Sequence, residues 1–449
     1  MEIGWSLVFD FVLLSLLLLV ATFLRVKVRI LQRLLLPNAL VAGFLGFLLA
    51  QVLRLVSFHH LENLIYHLLN LTFAALTLGM VTRGRSYGQA ASTGILMSFV
   101  FALQLLVGFA LTFLLMGTLF PDLFPNFGSL MAIGYASGPG QAFSFGSSWE
   151  GRGFAHGGEV GLIFGAVGFL WAYGVGVVWL NVGVRRGRAA LLRDLRRVPR
   201  EVWTGILPRR GRRPLGEEVS SSEAVDTLSL QVALCGLVYA LAYLVVRILS
   251  LGSDDTAWGA MFVVTVVVGM AVRKIMERTG TDFLISPGVQ RHLAGVCVDY
   301  AVAASVAAIS LPALRAYAFP LLLLSLAGGL VTVLAFLWLP ERVWRNYRFE
   351  RTLVTYGTLT GTMDSGIALC RVVDPELRTP AVEDYVRGMP LMFLLILPLY
   401  GLLFLPLSAY GSERSSLLYS LTLAGLFLFL LLYLLMWKKM GLWRSGAQR

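Results

Sequence analysis

The chain has 449 residues, of which 57% are apolar and 14% charged; an ordinary soluble domain carries about 25% charged residues, so the deficit excludes a soluble enzyme. A net charge of +12 would suit nucleic acid, but the Lys and Arg residues lie between apolar runs without the interleaved aromatics on which bases stack. A nucleic-acid partner is therefore excluded as well.

The apolar residues fall in runs of about 18 to 25, the length that crosses a bilayer. The first, at about 4–24, follows Glu2 and precedes basic residues. That order is the reverse of a secretory signal peptide, so this helix is expected to be retained. Asp10 lies about one turn into it and reads as interfacial. The basic stretch Arg25 to Arg33 leads into a run at 34–56 that opens Leu36-Pro37-Asn38-Ala39-Leu40-Val41-Ala42-Gly43. Runs at 64–81 and 90–119 follow, the former holding an isolated His67.

A half-apolar stretch at about 130–151, rich in Gly and Ser, is too weak for a spanning helix and reads as a re-entrant hairpin. Glu150 and Arg152 at its end read as a local pair. His156 then opens a run at 156–183. From about 184 to 226 comes one clear linker, Arg-rich and then holding Pro199, Pro208 and Pro214. It reads as a solvated cytoplasmic connector facing anionic headgroups.

The second half brings runs at 228–249, 256–272, 294–312, 316–339 and 383–407, with a second Gly/Ser/Thr-rich hairpin at about 353–371. A last run at 416–437 precedes Trp437, Lys438, Lys439 and Trp443. The three cysteines, Cys235, Cys297 and Cys370, fall in or beside apolar runs without paired or metal spacing and read as small core residues. No His cluster accompanies His67, His156 or His292, so no metal site is expected.

The expected fold is thus an all-α polytopic membrane protein of about 11 transmembrane helices. A forward shift of about 223 residues lays the first five helices and first hairpin (1–183) on the second five and second hairpin (227–407). With five crossings per half, the copies are inverted, the architecture of many secondary transporters. The segment 408–449 adds one helix and a basic tail. Of the 37 Lys and Arg residues, 32 lie in loops on one side and five on the other. The positive-inside rule then places the N-terminus outside and the central loop and C-terminus in the cytoplasm, in the cell's inner membrane.

At that offset Gly134-Tyr-Ala-Ser137-Gly138-Pro139-Gly140-Gln141-Ala142 matches Gly357-Thr-Leu-Thr360-Gly361-Thr362-Met363-Asp364-Ser365. Each hairpin has Gly-x-x-x-Gly, a hydroxyl before the second Gly and a polar side chain three residues after it. Non-helical backbone at membrane depth survives only where it lines a watery cavity or binds something. A broken tip offers helix N-termini to anions, and carbonyls with hydroxyls to a small cation. The expected substrate and ion site therefore comprises Ser137, Gly138, Gly140, Gln141, Thr360, Gly361, Thr362, Asp364 and Ser365. Asp299, an ionisable residue inside an apolar run, joins them.

The Arg25–Arg33 loop, the Pro37 to Gly43 opening and the Gly-rich loop before the fifth helix of each half resemble the bacterial sodium/glutamate symporters, over about residues 4 to 407. Those proteins carry denser Gly runs at both loops, and Asp364 stands where their second loop has a proline. The resemblance implies sodium-coupled uptake of glutamate or a related amino acid or small carboxylate by a homodimer with an elevator-like motion. No cofactor is implied beyond the coupling Na+. A proton-coupled carrier or exporter of another organic anion is the nearest alternative. A membrane-embedded enzyme is disfavoured because no HExxH, GxSxG or paired-Asp motif occurs.

Overall fold

The computed structural model describes residues 5–80, 87–192, 194, 198–208, 214–221, 223–250, 256–409 and 415–443. Fifteen helices organise them: α1 Trp5–Lys27, α2 Asn38–Phe47, α3 Leu61–Leu78, α4 Tyr87–Met116, α5 Phe127–Ala136, α6 Pro139–Ser148 and α7 Gly157–Arg185, then α8 Thr227–Leu249, α9 Met261–Thr279, α10 Pro287–Ala307, α11 Ala318–Trp338, α12 Arg348–Thr360, α13 Met363–Val373, α14 Ala381–Leu402 and α15 Ser415–Lys439. Short helical turns lie between some of them. A π turn, Leu48–Val52, prolongs α2.

Among the described residues seven helices are long and apolar enough to cross a membrane: α1, α4, α7, α8, α11, α14 and α15. The chain is a helical, membrane-embedded protein. The expected count of eleven exceeds what length and apolarity show among the described residues. α2 is a shorter apolar helix, and α3, α9 and α10 carry Glu62 and Asn70, Arg273 and Glu277, and Arg291 and Asp299 respectively. α1 buries only a stripe of Asp10, Leu14, Leu17 and Ala21. Its opposite face, with Trp5, Phe9, Leu16 and Phe23, is exposed. That pattern suits lipid rather than water, because large apolar surface in water is unfavourable.

The helices form two groups. In one, α10 packs on α2 and α3, α9 on α3 and α8, and α1 on α2. Small residues permit this closeness: a β-carbon on Gly43 of α2 would stand 2.6 Å from Val306 Cβ of α10. In the other group α4 carries α5, α11, α14 and α15, while α7 carries α5, α6, α12 and α13. Where α4 meets α5, a β-carbon on Gly108 would lie 2.3 Å from the Gly128 carbonyl oxygen. Without a strong hydrophobic drive inside lipid, such close backbone packing holds helices together. The two groups touch mainly where α6 meets the short helical turn Thr256–Gly259 ahead of α9, where α6 meets α3 and α10, and where α10 meets α7.

The two Gly-rich stretches fold as paired half-helices, with bounds a few residues from those expected. α5 and α6 break at Ser137–Gly138 and reverse direction. Phe124 before α5 and Trp149 after α6 stack with centroids 6.0 Å apart. α12 and α13 break at Gly361–Thr362, and their arms press so closely that a β-carbon on Gly366 would meet the Val354 carbonyl oxygen at 2.1 Å.

The linker departs from the solvated connector expected of it. Ala189, Leu192 and Val198 are buried in a cluster with Phe349, Leu353 and Val372. The Ala190 amide donates to Glu350 Oε1 at 2.7 Å, and Arg25 Nε donates to the Trp203 carbonyl at 3.3 Å. Apolar residues scattered among the arginines provide this docking. Residues 193, 195–197, 209–213 and 222 of the linker lie outside the described residues. Asp10 is fully buried: Oδ2 accepts from the His59 and His60 amides at 2.9 and 2.7 Å, which pins the α2–α3 connection to α1.

Candidate substrate cavity

Hairpin geometry begins with the break residues. Gly138 has φ 100° and ψ 170°, a conformation essentially confined to glycine, and Pro139 then starts α6 at the position where a missing N–H costs nothing. In the second hairpin Thr362 is extended, with φ −140° and ψ 172°, ahead of α13. The helix ends around the break are partly satisfied from outside. Gln104 of α4 donates to the Leu359 carbonyl at 2.9 Å and to Thr332 Oγ1 at 2.8 Å. Such partners are what allow broken backbone to persist at membrane depth.

The two breaks meet. A β-carbon on Gly138 would stand 3.3 Å from Thr362 Cγ2 and 3.9 Å from the Gly361 carbonyl oxygen. Beside this contact lies a cavity of about 150 Å³, bounded by both hairpins and by α3, α9, α10 and α14. It sits where the two groups of helices face each other.

Of the residues expected at the site, Ser137, Gly138, Gly140, Gln141, Thr362 and Asp364 line this cavity. Ser137 Oγ is 3.4 Å from the Tyr400 hydroxyl. Gln141 is only 5% exposed, yet its side chain has no hydrogen bond among the described residues. Asp364, by contrast, is exposed although it starts a helix in the protein interior, because it borders the cavity. It too has no hydrogen bond or ion pair among the described residues. Thr362 Oγ1 lies 3.4 Å from Ser365 Oγ, which is fully buried behind the tip.

With Ser365, three more of the expected residues stand back from the lining. Thr360 is fully buried and its hydroxyl donates to the Tyr356 carbonyl of its own helix at 2.8 Å. Gly361 forms the turn itself, where a β-carbon would meet Ser365 Oγ at 2.9 Å. Asp299 is exposed on α10, outside the cavity lining but within electrostatic reach of Asp364.

The sequence reading missed several lining groups. Arg291, Gly295, Val298, Val302 and Ser305 of α10 all face the cavity. Their spacing of three or four residues marks one helical face, poor in bulk, and that period was visible in the sequence. The tyrosines Tyr385 and Tyr400 and the apolar Phe73, Phe262, Met389 and Met392 reach it from other elements. Tyr385, Met389, Met392, Ile396 and Tyr400 recur every three or four residues along one face of α14, but no sequence period links that face to Phe73 or Phe262.

Farther from the cavity, Arg351 Nη2 pairs with Asp384 Oδ2 at 2.6 Å, both almost fully buried. Arg351 is therefore a buried strut between α12 and α14 rather than the loop cation expected from the charge distribution. Among the described residues no group of three or more His, Cys, Asp or Glu side chains is placed to hold a metal ion.

No family model, curated protein or solved structure matches the chain.

Proposed function

We propose that the chain is a secondary active transporter that carries a small amino acid or carboxylate, driven by sodium, by alternating access. The observation that carries this reading is the meeting of two helix breaks, one from each half of the chain, at a single cavity between two groups of helices. A channel needs no such paired breaks. A carrier does, because its site must be released to either side while the rest of the fold stays packed.

The helix boundaries support an inverted repeat at an offset of about 223. On that shift α1 falls on α8, α2 on α9, α3 on α10 and so on to α7 on α14, with α5–α6 falling on α12–α13. α15 then stands outside the repeat. In this account α4–α7 and α11–α14 move together with the hairpins, in an elevator-like fashion, against a scaffold of α1–α3 and α8–α10. The resemblance to the sodium/glutamate symporters belongs to this proposal, as do the homodimer, the inner-membrane location and the orientation with the N-terminus outside.

Asp364, with Asp299 near it, is the proposed cation site, taking either the coupling ion or the ammonium of an amino-acid solute. Two carboxylates at membrane depth repel, and a cation between them relieves that repulsion. Sodium is favoured because hydroxyls and carbonyls at the Thr362 tip supply hard oxygen ligands. The test is solute counterflow in proteoliposomes containing the purified chain. Uptake of a labelled amino acid driven by internal unlabelled solute, and stimulated by an inward sodium gradient, is expected. Uptake that ignores sodium and follows a pH gradient would replace sodium with the proton.

A further inference from the structure

The two hairpin tips are not chemically equivalent, and the difference specifies a ligand. At the first break, α6 begins with Pro139, and the amides of Gly140 and Gln141 in its first turn have no acceptor among the described residues. The Gln141 side chain, nine-tenths buried and lining the cavity, adds an amide without a partner. Those donors, at the positive end of a ten-residue helix, suit one carboxylate. At the second break the residue in the corresponding place is Asp364, a carboxylate without an ion pair that lines the same cavity. It suits one ammonium.

Beyond the tips the lining is mostly apolar, with Phe262 and Val266 of α9 and Met389, Met392 and Ile396 of α14, and its polar groups, among them Thr72, Ser305, Tyr385 and Tyr400, are neutral hydroxyls. The whole cavity, tips included, is about 150 Å³, a space of the size that encloses benzene, so it takes the charged end of a small solute and part of an apolar side chain. Asp299 and Arg371 act on Asp364 from outside the lining, and the one further charge in the lining is Arg291, which is exposed and whose Nε donates to the Pro287 carbonyl at 3.2 Å. It lies seven residues before Val298 on α10, roughly 10 Å along the axis. A second carboxylate on the ligand would have to lie among Phe and Met side chains, with only neutral hydroxyls to meet it, before reaching Arg291, and a carboxylate buried there without a charged partner is disfavoured.

We propose that the cavity binds a zwitterionic amino acid with an apolar side chain of about the size of leucine, methionine or phenylalanine, its carboxylate on the α6 N-terminus and Gln141, its ammonium on Asp364. This rests on the transport reading and narrows its substrate from amino acids and carboxylates at large to one class.

The test uses the full chain, purified in nanodiscs, with binding followed by thermal stabilisation and by displacement of radiolabelled leucine in sodium chloride. Leucine, methionine and phenylalanine stabilise the protein and displace one another. Isoamylamine, which lacks the carboxylate, and 4-methylpentanoate, which lacks the ammonium, each bind at least about tenfold more weakly than leucine, since one charge-assisted contact is lost. Asp364→Asn weakens leucine by at least about tenfold while leaving 4-methylpentanoate unchanged. Gln141→Glu does the reverse, weakening leucine and 4-methylpentanoate but not isoamylamine. Asp364→Glu, which keeps the charge, retains leucine binding and so separates loss of the contact from loss of the fold.

Glutamate or aspartate binding as tightly as leucine overturns the substrate class while leaving transport intact, provided that either drives counterflow. Leucine binding unchanged in Asp364→Asn also overturns it. If no solute of any class drives counterflow although leucine binds as described, the transport reading fails and the site stands as an amino-acid binding site.

Discussion

Gly138 and Thr362 are in contact: a β-carbon added to Gly138 would lie 3.3 Å from Thr362 Cγ2. Each is the break residue of its own helix pair, so the contact joins two interruptions from opposite halves of the chain. Side chains beyond the breaks, Gln141 and Asp364, consequently border one cavity.

Gly138→Ala tests how much that junction depends on glycine. The backbone at φ 100° and ψ 170° is strained for any residue with a β-carbon. The change is expected to cost about 1–3 kcal/mol of stability and to lower the thermal midpoint. Gly151, exposed and with nothing within 4 Å of an added β-carbon, is the control; Gly151→Ala leaves the midpoint nearly unchanged. Equal effects of the two substitutions would show that the junction is not specially constrained.

The Arg351–Asp384 pair gives a second prediction. Both side chains are almost fully buried, and Arg351 Nη1 has no hydrogen-bond partner among the described residues. Removing one partner strands a charge, so Asp384→Ala is expected to destabilise by about 3–5 kcal/mol. Arg351→Met combined with Asp384→Leu removes both charges and recovers most of that loss. Denaturant titration of the single and double variants measures the coupling; additive effects would mean that the ion pair is not a strut.

Much of the fold was legible because a bilayer enforces simple rules. Runs such as 228–249 became α8 nearly residue for residue, since a spanning segment has to be apolar and helical throughout. The helix breaks were legible too, as Ser137-Gly138-Pro139 and Gly361-Thr362 interrupt apolar runs with residues that disfavour helix. What composition concealed was contact. Leu192, Val198 and Trp203 in the linker are ordinary residues in an Arg-rich stretch, and nothing local reveals that they dock on the chain. Arg351 resembled the other loop cations, and its burial follows only from Asp384, which packing brings to it from 33 residues away.

Linker docking is itself testable. The Ala190 amide donates to Glu350 at 2.7 Å, and Glu350→Ala leaves that amide without its acceptor. Trypsin is expected to cut the linker several-fold faster in the variant than in the wild type, at unchanged thermal midpoint, because only local opening is affected. An identical cutting rate would show that the linker is held by its apolar residues alone.

Asp364→Asn and Asp299→Asn separate ion from solute. Each keeps shape and removes one charge. If the pair holds the coupling ion, both raise the sodium concentration needed for half-maximal uptake by roughly tenfold or more, the loss expected for one charged contact of about 1.5–3 kcal/mol. A shift in Asp364→Asn alone would assign the ion to the hairpin and leave Asp299 as a bystander on α10.

The central claim, that both hairpin tips share a site exposed alternately to the two sides, is tested most directly by cysteine accessibility. In a background with Cys235, Cys297 and Cys370 replaced by alanine, single cysteines at Ser137 and Thr362 are treated with an impermeant thiol reagent from each face of sealed proteoliposomes. The account predicts that both positions react from either face and that the transported solute protects both. A tip that reacts from one face only in every condition, or that solute leaves unprotected, would contradict it.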